Sequence, residues 1–235
     1  DALPISSENR LALQELLPEA IISCYDSYDD SQLSHLLDWA DVVCIGCGLG
    51  MGQISEKILK NVLKNVSCPC VIDADGLNLL SRNIELLNQC CAPVILTPHM
   101  KEMSRLTGWS IDTIMEDRFQ ALDQIIKQSG PDTKSSIICV LKDSRTVVAQ
   151  TNRQRFVNLA GNNSMAKGGS GDVLAGTIAG LLAQHMAPFE ATTVGVFLHA
   201  CGGDEAKKSK GSYSVLARDL IQGMADAMKN AKECR

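Results

Sequence analysis

The chain has 235 residues, of which 45% are hydrophobic, and a formal net charge of −5 at pH 7. This length suits one large α/β domain or two small ones, and it is enough to bury a substantial core. Charges of both signs are dispersed along the sequence, which excludes a basic stripe for nucleic acid and a polybasic segment for membranes. The apolar runs are too short to span a bilayer, and the N-terminus lacks a signal-peptide pattern. We therefore expect a soluble, cytoplasmic protein.

Short apolar runs typical of buried strands alternate along the chain with segments of helical periodicity. The predicted strands are 42–45, 70–74, 94–97, 137–141 and 146–150. The predicted helices are 54–66, 111–128, 172–185, 189–206 and 215–232. The helix over 111–128 has one apolar face, formed by Ile111, Ile114, Met115, Phe119, Leu122, Ile125 and Ile126. This order predicts a single α/β domain over residues 1–235, with a mostly parallel central sheet and helices on both faces.

Ten cysteines are present, and they fall in predicted strands and helices of a mid-sized chain, so we expect reduced and mostly buried thiols. Cys44 and Cys47 have CxxC spacing. Because Cys44 lies in the predicted strand 42–45 and no second CxxC pair follows, this pattern favours incidental small residues over a metal or redox site. The same interpretation applies to Cys68, Cys70, Cys90 and Cys91.

Residues 161–176 combine several glycines with one carboxylate, directly before an apolar helical segment. Gly168, Gly169 and Gly171 can adopt positive φ and let several backbone N–H groups face one ligand. The helix that follows presents a positive end, which favours an anion. Asp172 would repel a phosphate there unless a cation or a transferable proton takes part, so the pattern suggests a base acting beside a phosphoryl group. The alternative is that Asp172 only caps the helix.

Four further features stand where predicted strands end, and such loops form the ligand crevice of a parallel sheet. Residues 46–52 are glycine-rich but miss the dinucleotide fingerprint, because Met51 takes the last glycine position. Carboxylates within 73–78 could bind hydroxyls or hydrated magnesium, or could cap a helix. His99 could orient a ligand or act as an acid or base. Lys142 begins a polar turn that could contact phosphates or be an ordinary solvated hairpin.

In chain order, these segments read G-x-G-L-G, V-I-D-A-D-G-L-N-L-L, L-T-P-H-x-x-E, V-L-K-x-x-x-T and G-N-x-x-M-A-x-G-G-[ST]-G-D-V-L-A-G. Together they resemble the ADP/ATP-dependent NAD(P)H-hydrate dehydratases of the ribokinase-like superfamily over most of the chain. The resemblance implies a ribokinase-like α/β fold and a metabolite repair enzyme. Its substrates would be the hydrated nucleotides NADHX and NADPHX. ADP or ATP would phosphorylate the C6 hydroxyl before phosphate elimination, and Mg²⁺ would offset the charge of the transferred group.

The resemblance also implies roles for individual residues. Asp172 would be the catalytic base, and the amide groups of Gly169, Ser170 and Gly171 would form an anion hole. The hydrate would be bound by Gly50, Asp75, Asn78, His99 and Asp172. The nucleotide would be bound by Lys142, Asp143, Ser144, Arg145, Thr146, Asn162 and Gly171, with Asn163 close to the same crevice. No dedicated metal ligands are expected, since substrate phosphates would supply most of them.

The chain departs from the family pattern in three places. It begins after the family's first strand, glycine-rich turn and helix, so we expect a fragment, a processed product or one piece of a split protein, with an open sheet edge. Residues 99–102 replace the usual Pro-Gly after the histidine, and residues 142–145 replace a Gly-Ala-rich turn. These changes bear on the nucleotide contacts more than on the reaction.

Two alternative functions stay open at this level. A small-molecule alcohol kinase of the same superfamily, of thiazole or pyrimidine type, would use the same anion hole and Asp172. A non-catalytic nucleotide-binding module would share the loop without turnover. Apolar helical faces in the C-terminal third favour a homo-oligomer, such as a tetramer. The sequence does not distinguish ADP from ATP, or the NADH hydrate from the NADPH hydrate.

Overall fold

The fold is described from a computed structural model, for residues 2–128, 136–151, 153 and 155–233. The strands are β1 (Ala2–Ser6), β2 (Ile21–Tyr25), β3 (Val43–Ile45), β4 (Cys70–Ile72), β5 (Val94–Leu96), β6 (Ile137–Leu141), β7 (Val147–Gln150) and β8 (Phe156–Val157). The helices are α1 (Arg10–Leu16), α2 (Asp30–Trp39), α3 (Gln53–Asn65), α4 (Ala74–Leu80), α5 (Met100–Thr107), α6 (Ile111–Glu116), α7 (Arg118–Ile126), α8 (Ser170–Ala183), α9 (Pro188–Lys210) and α10 (Ala217–Glu233). Among these helices, none is both long enough and apolar enough to cross a membrane.

A six-stranded sheet carries the fold, with its strands in chain order from β3 to β8. Strands β3, β4, β5 and β6 are parallel, whereas β6, β7 and β8 pair antiparallel. Strands β1 and β2 form a separate parallel pair. The mostly parallel sheet predicted from the sequence is therefore confirmed, and the expected hairpin between 141 and 147 is the β6–β7 turn. The prediction of a missing first unit stays a prediction.

Alternate residues of the central strands pack against two different layers of helices. In β6, Ile137, Cys139 and Leu141 belong to one core cluster and Ile138 and Val140 to the other. The first cluster includes residues of α3, α4, α5 and α7, and the second includes residues of α8 and α9. Because successive side chains of a strand point to opposite faces, near-continuous apolar runs can fill both cores. Helices on both faces of the sheet are thus confirmed.

The single helix predicted over 111–128 is instead two helices, α6 and α7. Asp117 separates them, and its carboxylate accepts a hydrogen bond from the Gln120 N–H at 2.9 Å, which caps α7. The break redirects part of the predicted apolar face: Met115 is 55% exposed and Phe119 is 45% exposed. A competing helix start therefore overrode the apolar periodicity.

Two other expectations need correction. The predicted strand over 70–74 ends at Ile72, because Asp73 takes the N-cap position of α4. The nine cysteines within the described residues are free, but only Cys70, Cys90 and Cys139 are buried, so the expectation of mostly buried thiols is wrong. Cys234 lies outside the described residues.

Candidate active site

The carboxyl ends of β3, β4, β5 and β6 meet at one edge of the sheet, which we call the strand-end crevice. Gly46 follows β3 directly and has a φ of +122°, and a Cβ atom there would stand 1.9 Å from the Asp73 carbonyl oxygen. Only glycine permits this approach of β3 to the turn after β4. The next contact joins the same two loops: the Gly50 N–H donates to the Asp75 carboxylate at 2.9 Å. The glycine-rich loop is thereby fixed to the turn that carries both aspartates.

Asp73 and Lys142 form an ion pair at the base of the crevice, which we call the buried ion pair. Lys142 follows β6 directly, and its Nζ lies 2.6 Å from an Asp73 carboxylate oxygen. The two side chains are 18% and 2% exposed, respectively. The Lys142 N–H also donates to the Pro98 carbonyl at 2.8 Å, so the end of β6 is held beside the end of β5. The charge of Asp73 is therefore balanced by the Lys142 ammonium group, largely out of contact with solvent, where the parallel strands end.

The N-terminus of α8 lies against the buried ion pair. Gly169 takes the N-cap position with a φ of +84°, and no side chain of the described residues caps the helix. The Ser170 N–H donates to the Lys167 carbonyl at 3.3 Å, whereas the Gly171 N–H at the uncapped end of α8 is left for a ligand. A Cβ atom on Gly171 would stand 3.2 Å from Lys142 Nζ and 3.4 Å from Asp73 Oδ2. The ammonium group and the helix N-terminus consequently face the same small volume.

Asp172 is exposed in the first turn of α8. Oxygen atoms of Asp172 and Asp73 and the Cys47 sulfur all lie within 4.8 Å of one another. The Asp172 carboxylate helps to raise the pKa of the Cys47 thiol, and Asp172 forms no ion pair with any described residue. The carboxylates of these three aspartates therefore differ in their partners: Asp73 is bound by an ammonium group and Asp75 by a backbone amide, whereas Asp172 has the Cys47 sulfur within 4.8 Å.

His99 begins α5 through a capping box. Its Nδ1 accepts hydrogen bonds from the Lys101 and Glu102 N–H groups at 3.1 and 3.3 Å, while a Glu102 carboxylate oxygen accepts from the His99 N–H at 2.8 Å. Because Nδ1 is an acceptor, the neutral ring carries its proton on Nε2, which lies 3.3 Å from the second Glu102 oxygen. Burial raises the pKa of Glu102. His99 is accordingly both a helix cap and a half-exposed N–H donor.

His199 supports α8 from behind the crevice. It lies in α9, and its Nε2 stands 3.4 Å from the Ser170 hydroxyl at the first residue of α8. Burial lowers the pKa of His199 from 6.5 to about 4, and the Lys142 charge adds to this effect. A neutral ring at this position supports the helix N-terminus without adding a second positive charge beside Lys142.

Residues 4–225 match the NAD(P)H-hydrate dehydratase family. The chain belongs to this family. The predicted resemblance is therefore confirmed.

Two relatives show what share of a longer family member's length this chain matches. An ADP-dependent (S)-NAD(P)H-hydrate dehydratase of Neisseria meningitidis is 35% identical over 222 residues, which cover 92% of this chain and 73% of that protein. A bifunctional NAD(P)H-hydrate repair enzyme of Moorella thermoacetica is 37% identical over 193 residues, which cover 82% of this chain and 35% of that enzyme. The chain matches 35% to 40% of the length of three such bifunctional enzymes.

Solved structures of the dehydratase family share the fold. A Bacillus subtilis ADP/ATP-dependent NAD(P)H-hydrate dehydratase co-crystallised with ATP and Mg²⁺ gives a TM-score of 0.80 at 26% identity, covering 97% of this chain and 78% of that one. A ribokinase-like superfamily protein of Enterococcus faecalis gives 0.78 at 31% identity, covering 97% and 76%. A hydroxyethylthiazole kinase of Pyrococcus horikoshii gives 0.66 at 15% identity, covering 95% and 87%, and shares the fold alone. The predicted ribokinase-like fold is confirmed.

Within this dehydratase fold, several residues assigned from the sequence already have protein partners. Asp143 accepts from Arg118 Nη2 at 2.6 Å, and Asn78 accepts from Arg105 Nη1 at 2.6 Å. The Thr146 hydroxyl closes its own turn by donating to the Asp143 carbonyl at 3.2 Å. These side chains support the walls of the crevice, and their proposed ligand contacts stay predictions.

Arg145 and Asn162 make their contacts with residues other than the buried ion pair. Arg145 lines a cleft of about 400 Å³ together with Arg118 and Leu159. The Asn162 amide donates to the Asp204 carboxylate at 2.8 Å and to a carbonyl of α9 at 3.0 Å, and so attaches the glycine loop to that helix. The structure thus brings Lys142, Gly171 and Asp172 together, but it directs Asn162 toward α9.

Sequence reasoning missed four residues of the site: Asp73 as an ion-pair partner, Cys47, His199 and Asp204. Asp73 carried a usable signal, since a carboxylate directly after a fully apolar strand requires a partner when buried. Cys47 stood inside the recognised glycine loop but was interpreted as incidental. His199 and Asp204 lie within a long helix whose sequence gives no sign of which face meets the glycine loop.

Proposed function

We propose that this chain removes water from NAD(P)H hydrate in a reaction that consumes ADP or ATP. Family membership and the activities named for the relatives support this substrate class. The observation that carries the proposal is the placement of an exposed carboxylate, Asp172, at an uncapped helix N-terminus with the Lys142 ammonium group beside it. A base and an anion site in contact are what phosphoryl transfer to a hydroxyl requires.

In the first step, Asp172 accepts the proton of the C6 hydroxyl, and the oxygen attacks the terminal phosphorus of the nucleotide. The bond from phosphorus to the leaving nucleotide oxygen breaks. The amide groups of Gly169 and Gly171 and the Lys142 ammonium group stabilise the negative charge that spreads over the transferred group. The Ser170 amide joins them when it exchanges the Lys167 carbonyl, 3.3 Å away, for a phosphate oxygen. In the second step, the C6–O bond breaks, phosphate departs, and the adjacent ring carbon loses a proton, which restores the reduced nicotinamide.

Magnesium fits this site through its oxygen donors. Carboxylate oxygens of Asp73 and Asp172 lie within 4.8 Å of each other, and Mg²⁺ prefers carboxylates together with substrate phosphates. The Cys47 sulfur in the same group is a soft donor, which does not suit Mg²⁺. Bound there, the ion would neutralise phosphate charge; we assign it to Asp73 and the substrate phosphates, which leaves Asp172 free to accept the proton.

We assign the hydrate and the nucleotide to different sides of the strand-end crevice. We assign the hydrate to the side of the crevice formed by Gly50, Asp75 and His99, where the His99 Nε2–H can donate to a carbonyl or hydroxyl oxygen. We assign the nucleotide phosphates to Lys142 and Gly171, and the rest of the nucleotide to the turn over 143–146. Asn78 and Asn162 contribute by holding the walls of the crevice.

The direct test is turnover of purified hydrate with Mg²⁺ and ADP or ATP, followed by the absorbance of reduced nicotinamide and by phosphate release. Asp172→Asn should lower kcat by about 100- to 10,000-fold, the range typical of a lost general base. Asp112→Asn is the matched control, because Asp112 also stands exposed in the first turn of a helix, α6. Equal activity of the two variants would refute the role of Asp172.

Product analysis separates the alternatives. An alcohol kinase would release a stable phosphorylated alcohol and leave the hydrate unchanged. A non-catalytic module would bind nucleotide with no turnover, and its nucleotide affinity would be the same in the Asp172→Asn variant. Recovery of reduced nicotinamide together with free phosphate is expected from the dehydratase alone.

We also propose that the chain forms a homo-oligomer. Large apolar side chains are exposed on α9 and α10, among them Val194, Phe197, Ile221 and Met228. Exposed apolar residues of this size commonly mark contacts between subunits. Light scattering coupled to gel filtration should give a mass above that of one chain, and Phe197→Glu should lower it.

A further inference from the structure

Ala74 has an unusual backbone conformation between two aspartates of the strand-end crevice. Its φ is +48°, and it separates Asp73 from Asp75 at the start of α4. At positive φ the Cβ atom of an L-residue lies too close to a carbonyl oxygen, so glycine is the residue usually found there. Among the described residues, the only other non-glycine residue with a positive φ is His185, at +61°, just after α8. Ala74 is therefore strained, and such strain persists only where neighbouring contacts hold it.

Backbone contacts hold Ala74 from both sides. The Asp73 N–H donates to the Ile45 carbonyl at 3.1 Å, which fixes the chain before Ala74. The Gly76 N–H donates to the Asp73 carbonyl at 2.9 Å and closes a four-residue turn around Ala74. Gly76 itself is closely packed, since a Cβ atom there would stand 2.8 Å from an Ile72 side-chain carbon. A positive φ at the first central residue of a turn is typically supplied by glycine, asparagine or aspartate, and this chain uses alanine instead.

The methyl group of Ala74 lies outside the apolar cores. Ala74 is half-buried, and it belongs to none of the three apolar clusters that the described residues form. The methyl group does, however, limit the backbone. The left-handed region allowed to alanine is small, whereas glycine moves freely over a wide range of positive φ. An alanine held at positive φ is thus less mobile than a glycine would be in the same turn.

The two carboxylates that flank Ala74 serve different sides of the crevice. Asp73 pairs with Lys142 Nζ at 2.6 Å, on the side where we place the nucleotide phosphates. Asp75 accepts from the Gly50 N–H at 2.9 Å, on the side where we place the hydrate. The backbone between the two aspartates therefore sets how the two sides are placed relative to each other.

We propose that Ala74 is a positioning residue whose strained backbone fixes the directions of the Asp73 and Asp75 carboxylates, and thereby the hydrate relative to the phosphate. Replacement by glycine relieves the strain but opens further conformations to the turn. Misplacing reacting groups by about 1 Å lowers a rate by up to about 100-fold. Ala74→Gly should therefore keep or raise stability while it lowers activity. The effect on activity rests on the proposed function, whereas the effect on the turn does not.

Hydrogen exchange measures the turn without an assay of activity. In Ala74→Gly, the Gly50 amide proton should exchange about tenfold faster than in the wild type, followed by NMR, because its acceptor on Asp75 is less firmly held. Tm should be unchanged or up to about 4 °C higher, since relief of strain offsets the greater freedom of the unfolded chain. His185→Gly is the matched control, because it relieves the same kind of strain at an exposed position. It should keep or raise Tm and leave the exchange of the Gly50 amide unchanged.

Turnover shows whether the turn acts on the reaction. Ala74→Gly should lower kcat about tenfold, whereas His185→Gly should keep the kcat of the wild type. A lower Tm in Ala74→Gly, or an unchanged rate of exchange of the Gly50 amide, would overturn the proposal. Faster exchange with an unchanged kcat contradicts the link to the reaction. Faster exchange in a protein whose wild type has no turnover supports the role of Ala74 in the turn and contradicts the proposed function.

Discussion

Removal of Lys142 tests whether the buried ion pair holds the crevice together. In Lys142→Met, the Asp73 carboxylate stays 2% exposed but loses the ammonium group at 2.6 Å. Removing one partner of a buried pair typically costs about 3 to 5 kcal/mol, because an uncompensated charge is left inside. For a domain of this size, that loss corresponds to a decrease in Tm of about 6 to 20 °C.

The control is a second ion pair with the same N–O distance but with exposed side chains. Lys60 and Glu56 also lie 2.6 Å apart, but their side chains are 49% and 39% exposed. Lys60→Met should therefore lower the free energy of unfolding by less than about 1 kcal/mol. Urea denaturation of both variants, followed by tryptophan fluorescence, gives the two values on one scale.

A double-mutant cycle isolates the interaction itself. Asp73→Asn should cost less than Lys142→Met, because the lysine side chain, at 18% exposed, can extend its ammonium group toward solvent. The loss of stability in the double variant should be smaller than the sum of the two single losses by about 1 to 3 kcal/mol. If Lys142→Met costs no more than Lys60→Met, or if the two single losses add, burial does not strengthen this pair and our reasoning fails.

Three further variants test neighbouring features by denaturation and kinetics. Gly46→Ala should cost more than about 3 kcal/mol because its Cβ atom would overlap a backbone carbonyl, whereas Gly48→Ala, with no atom within 4 Å, should cost about 1 kcal/mol; equal losses would contradict the close approach. Gly171→Ala should lower kcat about tenfold, because the added Cβ atom would stand 3.2 Å from Lys142 Nζ and displace the ammonium group. Gly176→Ala in the same helix should keep full activity, since a Cβ atom there has no atom within 4 Å; equal activities of the two variants would refute this. The pKa of His199 is about 4 in the folded protein and 6.5 ordinarily. The free energy of unfolding should therefore have its full value above pH 6.5 and fall by up to about 3 kcal/mol toward pH 4, because the unfolded chain binds the proton first. If a His199→Gln variant loses the same stability in acid, this histidine is not the cause.

The order of strands and helices could be predicted from the sequence because each element carries its own periodicity. Apolar runs located β4, β5 and β6, and the spacing of apolar residues located α3, α8 and α10. The break at Asp117 could not be placed, since an N-cap competes with apolar periodicity through a single side chain. Local signals therefore identify elements well and their ends less well.

The site was predicted in part, and the limit was sequence separation. Motifs indicated Asp172, Gly171 and Lys142 one at a time, as residues that follow strands or begin helices. The contact between Asp73 and Lys142 joins positions 69 residues apart, and only the sheet order brings their strand ends together. The chemistry of each residue could be predicted from its local pattern, whereas partner choice depended on the fold.

Partner choice is what distinguishes the proposed base from its neighbours. Three carboxylates face a crevice that is expected to bind phosphate, and each would repel it if left without a partner. Asp73 is matched by an ammonium group and Asp75 by a backbone N–H, so neither is the proposed base. Asp172 is exposed, forms no ion pair with a described residue, and stands in the first turn of a helix whose positive end stabilises its charge. A carboxylate with a free oxygen and a nearby anion site is suited to remove a proton, whereas a carboxylate already held by a lysine is not.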